Sequence, residues 1–265
     1  MDAHTDGEGS TEDAVVSLSG VYKVYELGEP VPVLDDVSLD VPRGSYTSIM
    51  GPSGSGKSTL LNLIGCLDTP TAGEIYIDGT NVTKLSDAER AMVRGEKIGF
   101  VFQTFNLMPR LTALENVAMP LSFRNVPREE RTKRAKSLLA DVGLADRVDH
   151  KPTELSGGQR QRVAVARALV NDPAIILADE PTGSLDSETS RQIMRLLEAL
   201  YQRGNTILMV THERDIAEHG ERIVHVLDGE IERIEQLGES RRTPSVDEDA
   251  ASAGEDAPEG EAWTS

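Results

Sequence analysis

A lysine and a serine close a glycine-rich run, Gly51-Pro-Ser-Gly-Ser-Gly-Lys57-Ser58, and that combination has the types and spacing to hold a polyphosphate. The run fits the pattern G-x-x-x-x-G-K-[ST], in which glycines let successive backbone N–H groups turn inward onto phosphate oxygens at a helix N-terminus. Gly51, Ser53, Gly54, Ser55 and Gly56 would form that cradle. Lys57 would reach the β- and γ-phosphates of ATP, the Ser58 hydroxyl would ligate Mg²⁺, and Thr59 would complete the nucleotide-binding set. The flanks agree: residues 46–50 are apolar and strand-like, and Thr59-Leu-Leu-Asn-Leu-Ile has helical character. A glycine-rich turn with no ligand is the plainer reading, and the strand–loop–helix context argues against it.

Two further stretches carry chemistry. Ala174-Ile-Ile-Leu-Ala-Asp179-Glu180 reads as an apolar strand that ends in two acids. Asp179 at its tip suits the Mg²⁺ coordination shell through water, and Glu180 suits a general base aimed at the attacking water. Leu155-Ser156-Gly157-Gly158-Gln159 leads into a helix with Val163, Ala166 and Val170 at helical spacing. That makes a second glycine-rich, anion-binding helix start, and one nucleotide cannot easily use two such ends on the same face.

Taken together, the phosphate loop and Leu-Ser-Gly-Gly-Gln resemble the ATP-binding subunit of ABC transporters. The resemblance implies that Ser156, Gly157, Gly158 and Gln159 close over the γ-phosphate bound by another protomer. A second copy of the chain would then complete a head-to-tail dimer with two ATP at its interface. It also implies roles for single residues. Gln103 matches the glutamine that touches Mg²⁺ or the water and senses the γ-phosphate, and His212 matches the switch histidine that contacts that phosphate and orients Glu180. Ser184-Leu-Asp186 matches the loop that crosses the dimer interface, with Asp186 intact and Ser184 standing where many relatives carry Asn. Tyr25 matches the aromatic that stacks on adenine, ahead of Tyr22. These motifs occur once each and in order, and the likeness covers about residues 15–235. It narrows to the MacB/LolD class in residues 49–58, 63–68 and 102–116. Phe105, Leu107 and Met108 stand where such subunits receive a permease's coupling helix; they suit the interior of a helical subdomain equally well.

The elements that must position these residues follow the same order. Residues 15–25 and 33–41 read as strands around a turn containing Gly28, Pro30 and Pro32, and residues 74–78 alternate as a half-exposed strand. Ser86 with Glu89, and Thr112 with Glu115, are capping-box patterns that open helices. Residues 98–102 form a buried strand running into Gln103. A helical pattern over about residues 111–154 breaks at Pro120, Pro127 and Gly143, and a second strand–helix alternation over 174–234 predicts a mostly parallel sheet. The expected fold is α/β: a P-loop NTPase with a RecA-like, mostly parallel core, an antiparallel β subdomain and an inserted helical subdomain at about 104–156. The ATP-binding domain is placed at 15–238, with acidic, disordered tails at 1–14 and 239–265.

Composition sets the outer limits. The net charge is −18, but residues 1–14 hold five acids without Lys or Arg, and residues 239–265 hold eight acids against two arginines. More than half of the negative charge therefore lies in the tails, and no basic stripe offers a nucleic acid a surface. The rest fits a solvated surface or a high-salt cytoplasm, the second suggested by 7 Lys against 20 Arg. The lone cysteine, Cys66, sits among apolar residues and reads as a buried structural thiol. No signal-peptide pattern and no apolar run of the roughly 20 residues needed to span a bilayer is present. The expectation is a cytoplasmic ATPase subunit that meets the membrane only through an integral permease, export or release being favoured. A non-transport ATPase of the same family is the alternative.

Overall fold

The structure, a computed structural model, describes residues 13–237. Strands β1 (Ala14–Leu27) and β2 (Glu29–Pro42) pair as a hairpin. The chain then crosses into a second sheet as β3 (Tyr46–Met50) and continues into helix α1 (Lys57–Ile64). It returns as β4 (Ala72–Ile77) and β5 (Thr80–Asn81), which complete an antiparallel sheet of order β2-β1-β4-β5. Pro30 and Pro32 lie within β2 and not in the turn. β2 is an edge strand, where a missing N–H on the outer side costs no ladder bond.

Helix α2 (Asp87–Lys97) feeds β6 (Ile98–Phe102), and α3 (Ala113–Phe123), α4 (Arg128–Asp141) and α5 (Gly157–Leu169) follow. The chain closes with β7 (Ile175–Asp179), α6 (Ser187–Gln202), β8 (Ile207–Thr211), α7 (Arg214–Ala217), β9 (Arg222–Leu227) and β10 (Glu230–Gln236). The second sheet runs β10-β9-β3-β8-β7-β6 and is parallel throughout except for the β9–β10 hairpin.

Its inner strands β3, β7 and β8 are buried on both faces, which explains the apolar runs of β7 and β8. Ile175 and Leu177 of β7 and Leu208 and Val210 of β8 face α1 and the antiparallel sheet. Ile176, Ala178, Ile207 and Met209 face α5 and α6. A third cluster joins Val117 and Leu121 of α3, Leu139 of α4, Val163 and Ala166 of α5, and Val170 at its C-cap. Helix α5 therefore belongs to two cores at once, since Val165 and Ala168 pack with the sheet.

Capping boxes stand at Ser86–Glu89 and Thr112–Glu115 as expected. The expected break at Pro120 does not occur: α3 runs through it to Phe123. Pro120 forfeits one ladder bond and crowds the preceding turn, but buried Val117 and Leu121 on either side tie both halves to the same cluster. Cys66 is buried, and burial pushes its thiol up to about 11. The tails expected at 1–14 and 239–265 fall outside the described residues apart from Asp13 and Ala14, where β1 begins. No helix among the described residues is long and apolar enough to cross a membrane. Leu139→Ala should empty the centre of the helical cluster and lower stability by about 2–4 kcal/mol in urea unfolding, while a cost below about 1 kcal/mol would contradict the packing described.

Candidate active site

β3 delivers the glycine-rich run to the end of the parallel sheet, and α1 starts at Lys57 with Gly56 as its N-cap. Gly56 has φ 101°, and a Cβ there would lie 2.9 Å from the Val33 carbonyl, so the position demands glycine twice over. Glycine also leaves α1 without a side-chain cap, so its first-turn N–H groups stay open to a ligand. Ser53, Gly54, Gly56, Lys57, Ser58 and Thr59 line a cleft of about 540 Å³, with Asp179, Glu180 and His212 opposite. Gly51 and the buried Ser55 are not on that lining. Lys57 is buried, and its ammonium donates to the carbonyls of Gly51 (2.8 Å) and Pro52 (2.7 Å). Burial lowers its pKa, opposed by the charges of Glu180 and Asp179.

β7 lies between β6 and β8, which sets Asp179 beside Val210 and Phe102 at the same sheet end. Burial raises the Asp179 pKa, Glu180 adds to the rise, and Lys57 opposes it. Glu180 sits just past the strand with φ 46°, a left-handed conformation uncommon for a side-chain-bearing residue. Its N–H donates to the Val210 carbonyl at 2.9 Å. Its carboxylate meets His212 Nδ1 at 2.7 Å and accepts from the Thr211 hydroxyl at 3.3 Å. The His212–Glu180 hydrogen bond, and then the carboxylate's charge, hold the His212 pKa above its ordinary 6.5. Ser58, Asp179 and Gln103 are all oxygen donors, a set that fits Mg²⁺ retaining waters and phosphate oxygens. No cluster of three His, Cys, Asp or Glu able to hold a metal by itself occurs among the described residues.

Other expected site residues are not on the cleft lining. Gln103 is exposed beside the 181–183 turn; a Cβ on Gly183 would come within 2.7 Å of its amide nitrogen. The Tyr25 hydroxyl donates to Asp68 at 2.8 Å, and the Lys23 ammonium lies 4.6 Å from the ring centroid. Ser156 caps α5: its hydroxyl accepts from the Gln159 N–H at 3.3 Å, and the Gln159 side chain accepts from the Ser156 N–H at 2.9 Å. Gly157 and Gly158 form the first turn, pressed so closely on α6 that a Cβ at Gly158 would lie 2.4 Å from Thr189. Asp186 caps α6, accepting from the Thr189 N–H (2.9 Å) and hydroxyl (2.7 Å). One chain thus carries two separate glycine-rich helix starts.

Sequence reading passed over Lys23, Asp68, Val33, Val210 and Gln161. Lys23 lies two residues before Tyr25 on the same strand, so the period-2 rule could have flagged it. Asp68 reaches Lys23 at 2.7 Å across 45 residues, and no local pattern announces that pair.

The ABC transporter family profile matches residues 34–183. An ABC transporter ATP-binding protein of Thermotoga maritima is 54% identical over 225 residues, spanning 84% of this chain and 96% of that protein. A macrolide export ATP-binding/permease protein MacB of Brucella melitensis is 48% identical over 218 residues, which are 82% of this chain and 34% of that protein. The solved dimeric, post-hydrolysis state of the ATP-binding cassette MJ0796 from Methanocaldococcus jannaschii, bound to ADP and Pi, matches with a TM-score of 0.78 at 53% identity. That match covers 84% of this chain and 99% of the solved one.

Glu180 favours the charged form of His212, assisted by Glu213 and opposed by Lys57. The protonated pair therefore contributes fully below 6.5 and is lost as pH rises through the raised midpoint. Imidazole NMR titration should place His212 above 6.5, and Glu180→Gln should bring it back towards that value. A parent midpoint at or below 6.5 would refute the coupling.

Proposed function

The chain belongs to the ABC transporter family as an ATP-binding, ATP-hydrolysing subunit, and we propose that it works as half of a head-to-tail pair that drives a separate membrane permease. The observation that carries this reading is the separation of the two helix starts. The cleft at α1 can cradle a triphosphate, and the Ser156–Gln159 start of α5 lies outside its lining. A second copy, turned head to tail, would bring its own Ser156, Gly157, Gly158 and Gln159 over that phosphate, with Asp186 near the seam. The dimeric state of the MJ0796 cassette supports the arrangement.

In the cleft, Lys57 exchanges the carbonyls of Gly51 and Pro52 for the β- and γ-phosphates. Ser58 and Asp179, joined by Gln103 from its exposed position outside the cleft lining, would hold Mg²⁺, which would supply neutralisation of phosphate charge. Glu180 takes a proton from a water whose oxygen attacks the γ-phosphorus while the bond to the β–γ bridging oxygen breaks, leaving ADP and phosphate. His212 holds the Glu180 carboxylate through Nδ1, which leaves Nε2 for a phosphate oxygen. Tyr25, within reach of Thr59 but outside the cleft lining, would offer its ring to adenine.

A groove on the surface supports a permease contact. A groove of about 360 Å³ between the sheet core and the helical layer is lined by Phe100, Phe102, Asn106, Met119 and Pro120. Met108 and Phe123 are exposed, at 49% and 79%. Leu107 packs with the helical cluster and Phe105 lies under Arg160, so of the three residues after Gln103 only Met108 is free to meet a partner there. The MacB relative, whose name includes a permease and of which this chain spans 34%, supports a membrane partner and an export or release role at the cytoplasmic face.

Glu180→Gln should cut turnover by about 100-fold or more while retaining ATP, and it should shift the chain to a dimer on size exclusion when ATP is added. A turnover near the parent rate would remove Glu180 from the role of base. The same variant, tagged and purified with ATP from mildly solubilised native membranes, should bring down a membrane-spanning protein. Recovery of soluble proteins alone would reject the permease.

A further inference from the structure

We propose that Gln161 is a positioning residue through which the helix serving one ATP site aligns the catalytic segments of the other. Gln161 is fully buried on α5, two residues past the Ser156–Gln159 start. Its amide donates to the Pro181 carbonyl at 2.6 Å and to the Phe102 carbonyl at 3.4 Å. Pro181 directly follows Glu180, and Phe102 directly precedes Gln103. One side chain therefore holds the main chain beside both.

The same helix grips the far side of the Gln103 loop. Arg167 donates to the carbonyls of Asn106 (2.5 Å) and Phe105 (2.9 Å), and the Arg160 guanidinium lies 5.2 Å from the Phe105 ring centroid. Phe105 and Asn106 both have positive φ, 62° and 48°, a costly pair that persists only when its surroundings fix it. Helix α5 is itself locked into two cores. Movement of its N-terminus has to travel along a rigid rod to Gln161 and Arg167.

Stability alone does not call for glutamine at this position. Val165, Ala164 and Ala168 share the buried surroundings of α5, and the Gln161 carbonyl oxygen has no partner among the described residues. An unpaired buried acceptor costs about 1–3 kcal/mol, so an apolar side chain would serve a core better. What glutamine adds is the pair of bonds to the segments carrying Glu180 and Gln103. In a head-to-tail pair, the start of α5 meets the partner's nucleotide, and Gln161 passes that engagement to the chain's own site. The inference rests on the paired arrangement proposed above.

Gln161→Met in the full chain keeps length, removes the donor and relieves the unpaired oxygen. Turnover should fall about tenfold or more, with the ATP dissociation constant within about threefold of the parent. The Hill coefficient for ATP hydrolysis should drop towards 1, a change that loss of packing alone does not produce, and the unfolding midpoint should stay within a few degrees. Unchanged turnover and cooperativity, or a loss of activity that merely tracks a lower unfolding midpoint, would overturn the proposal. Should that variant not fold, Gln161→Glu reads the same bond. A carboxyl buried against two carbonyl oxygens donates only when protonated, so its turnover relative to the parent should rise from about pH 8 to about pH 6, and a flat ratio overturns the proposal. ATP-dependent dimerisation of Glu180→Gln separates the two readings. If it fails, the pairing and this inference fall together; if it holds and Gln161→Met behaves as the parent, only this inference falls.

Discussion

A helix start whose N–H groups are left without a protein partner is the condition on which the rest of this molecule depends. Helices α2, α3, α5 and α6 begin with a side-chain cap from Ser86, Thr112, Ser156 and Asp186. α1 begins at Gly56, which has no side chain to offer, and its donors face a cleft. Open donors at a helix N-terminus call for an anion, and the surrounding design keeps one from being supplied internally. Lys57 is turned onto backbone carbonyls, and Asp179 and Glu180 are held across the cleft by the strand they end, their charges balanced by the ammonium and the imidazole nearby.

The parallel sheet makes this arrangement possible. β3, β7 and β8 run in the same direction, so the segments that leave their ends emerge together: the phosphate loop, the Asp179–Glu180 pair and His212. Burial on both faces fixes strand register, because a slip of one residue would exchange the side chains of two different cores. The chemistry is thus aligned by apolar packing that never touches it. The helical layer adds a second lever, since α5 shares its side chains between that layer and the sheet.

Much of this was legible in the sequence because it is local. The phosphate loop, the acid pair, the strand into Gln103 and two capping boxes are all signalled within a few residues of one another, and each lies where the pattern put it. The misses are of another kind. Pro120 reads as a helix breaker, yet tertiary burial of Val117 and Leu121 carries α3 through it. Pro30 and Pro32 read as turn residues but sit on a sheet edge, a position that depends on which strand lies outside. Lys23 with Asp68, and Gln161 with Pro181, are contacts between distant segments that no periodicity contains. Gln161 in particular resembles a surface residue in composition, while its place on the helix wheel is interior.

The Ser156–Gln159 capping box has a consequence for how two copies would meet. Unlike α1, the start of α5 satisfies part of its own demand: Ser156 and Gln159 hold each other across the first turn. A phosphate arriving from a second cassette must therefore displace or share a bond that already exists. The longer of the two, at 3.3 Å, lies outside the usual span of N–H···O bonds and is the weaker to give up. The two helix starts are accordingly unequal, one uncapped and one partly satisfied by its own side chains. In the head-to-tail pair proposed above, an encounter between empty copies would offer little gain, and the incoming triphosphate would be the adhesive that makes closure worthwhile.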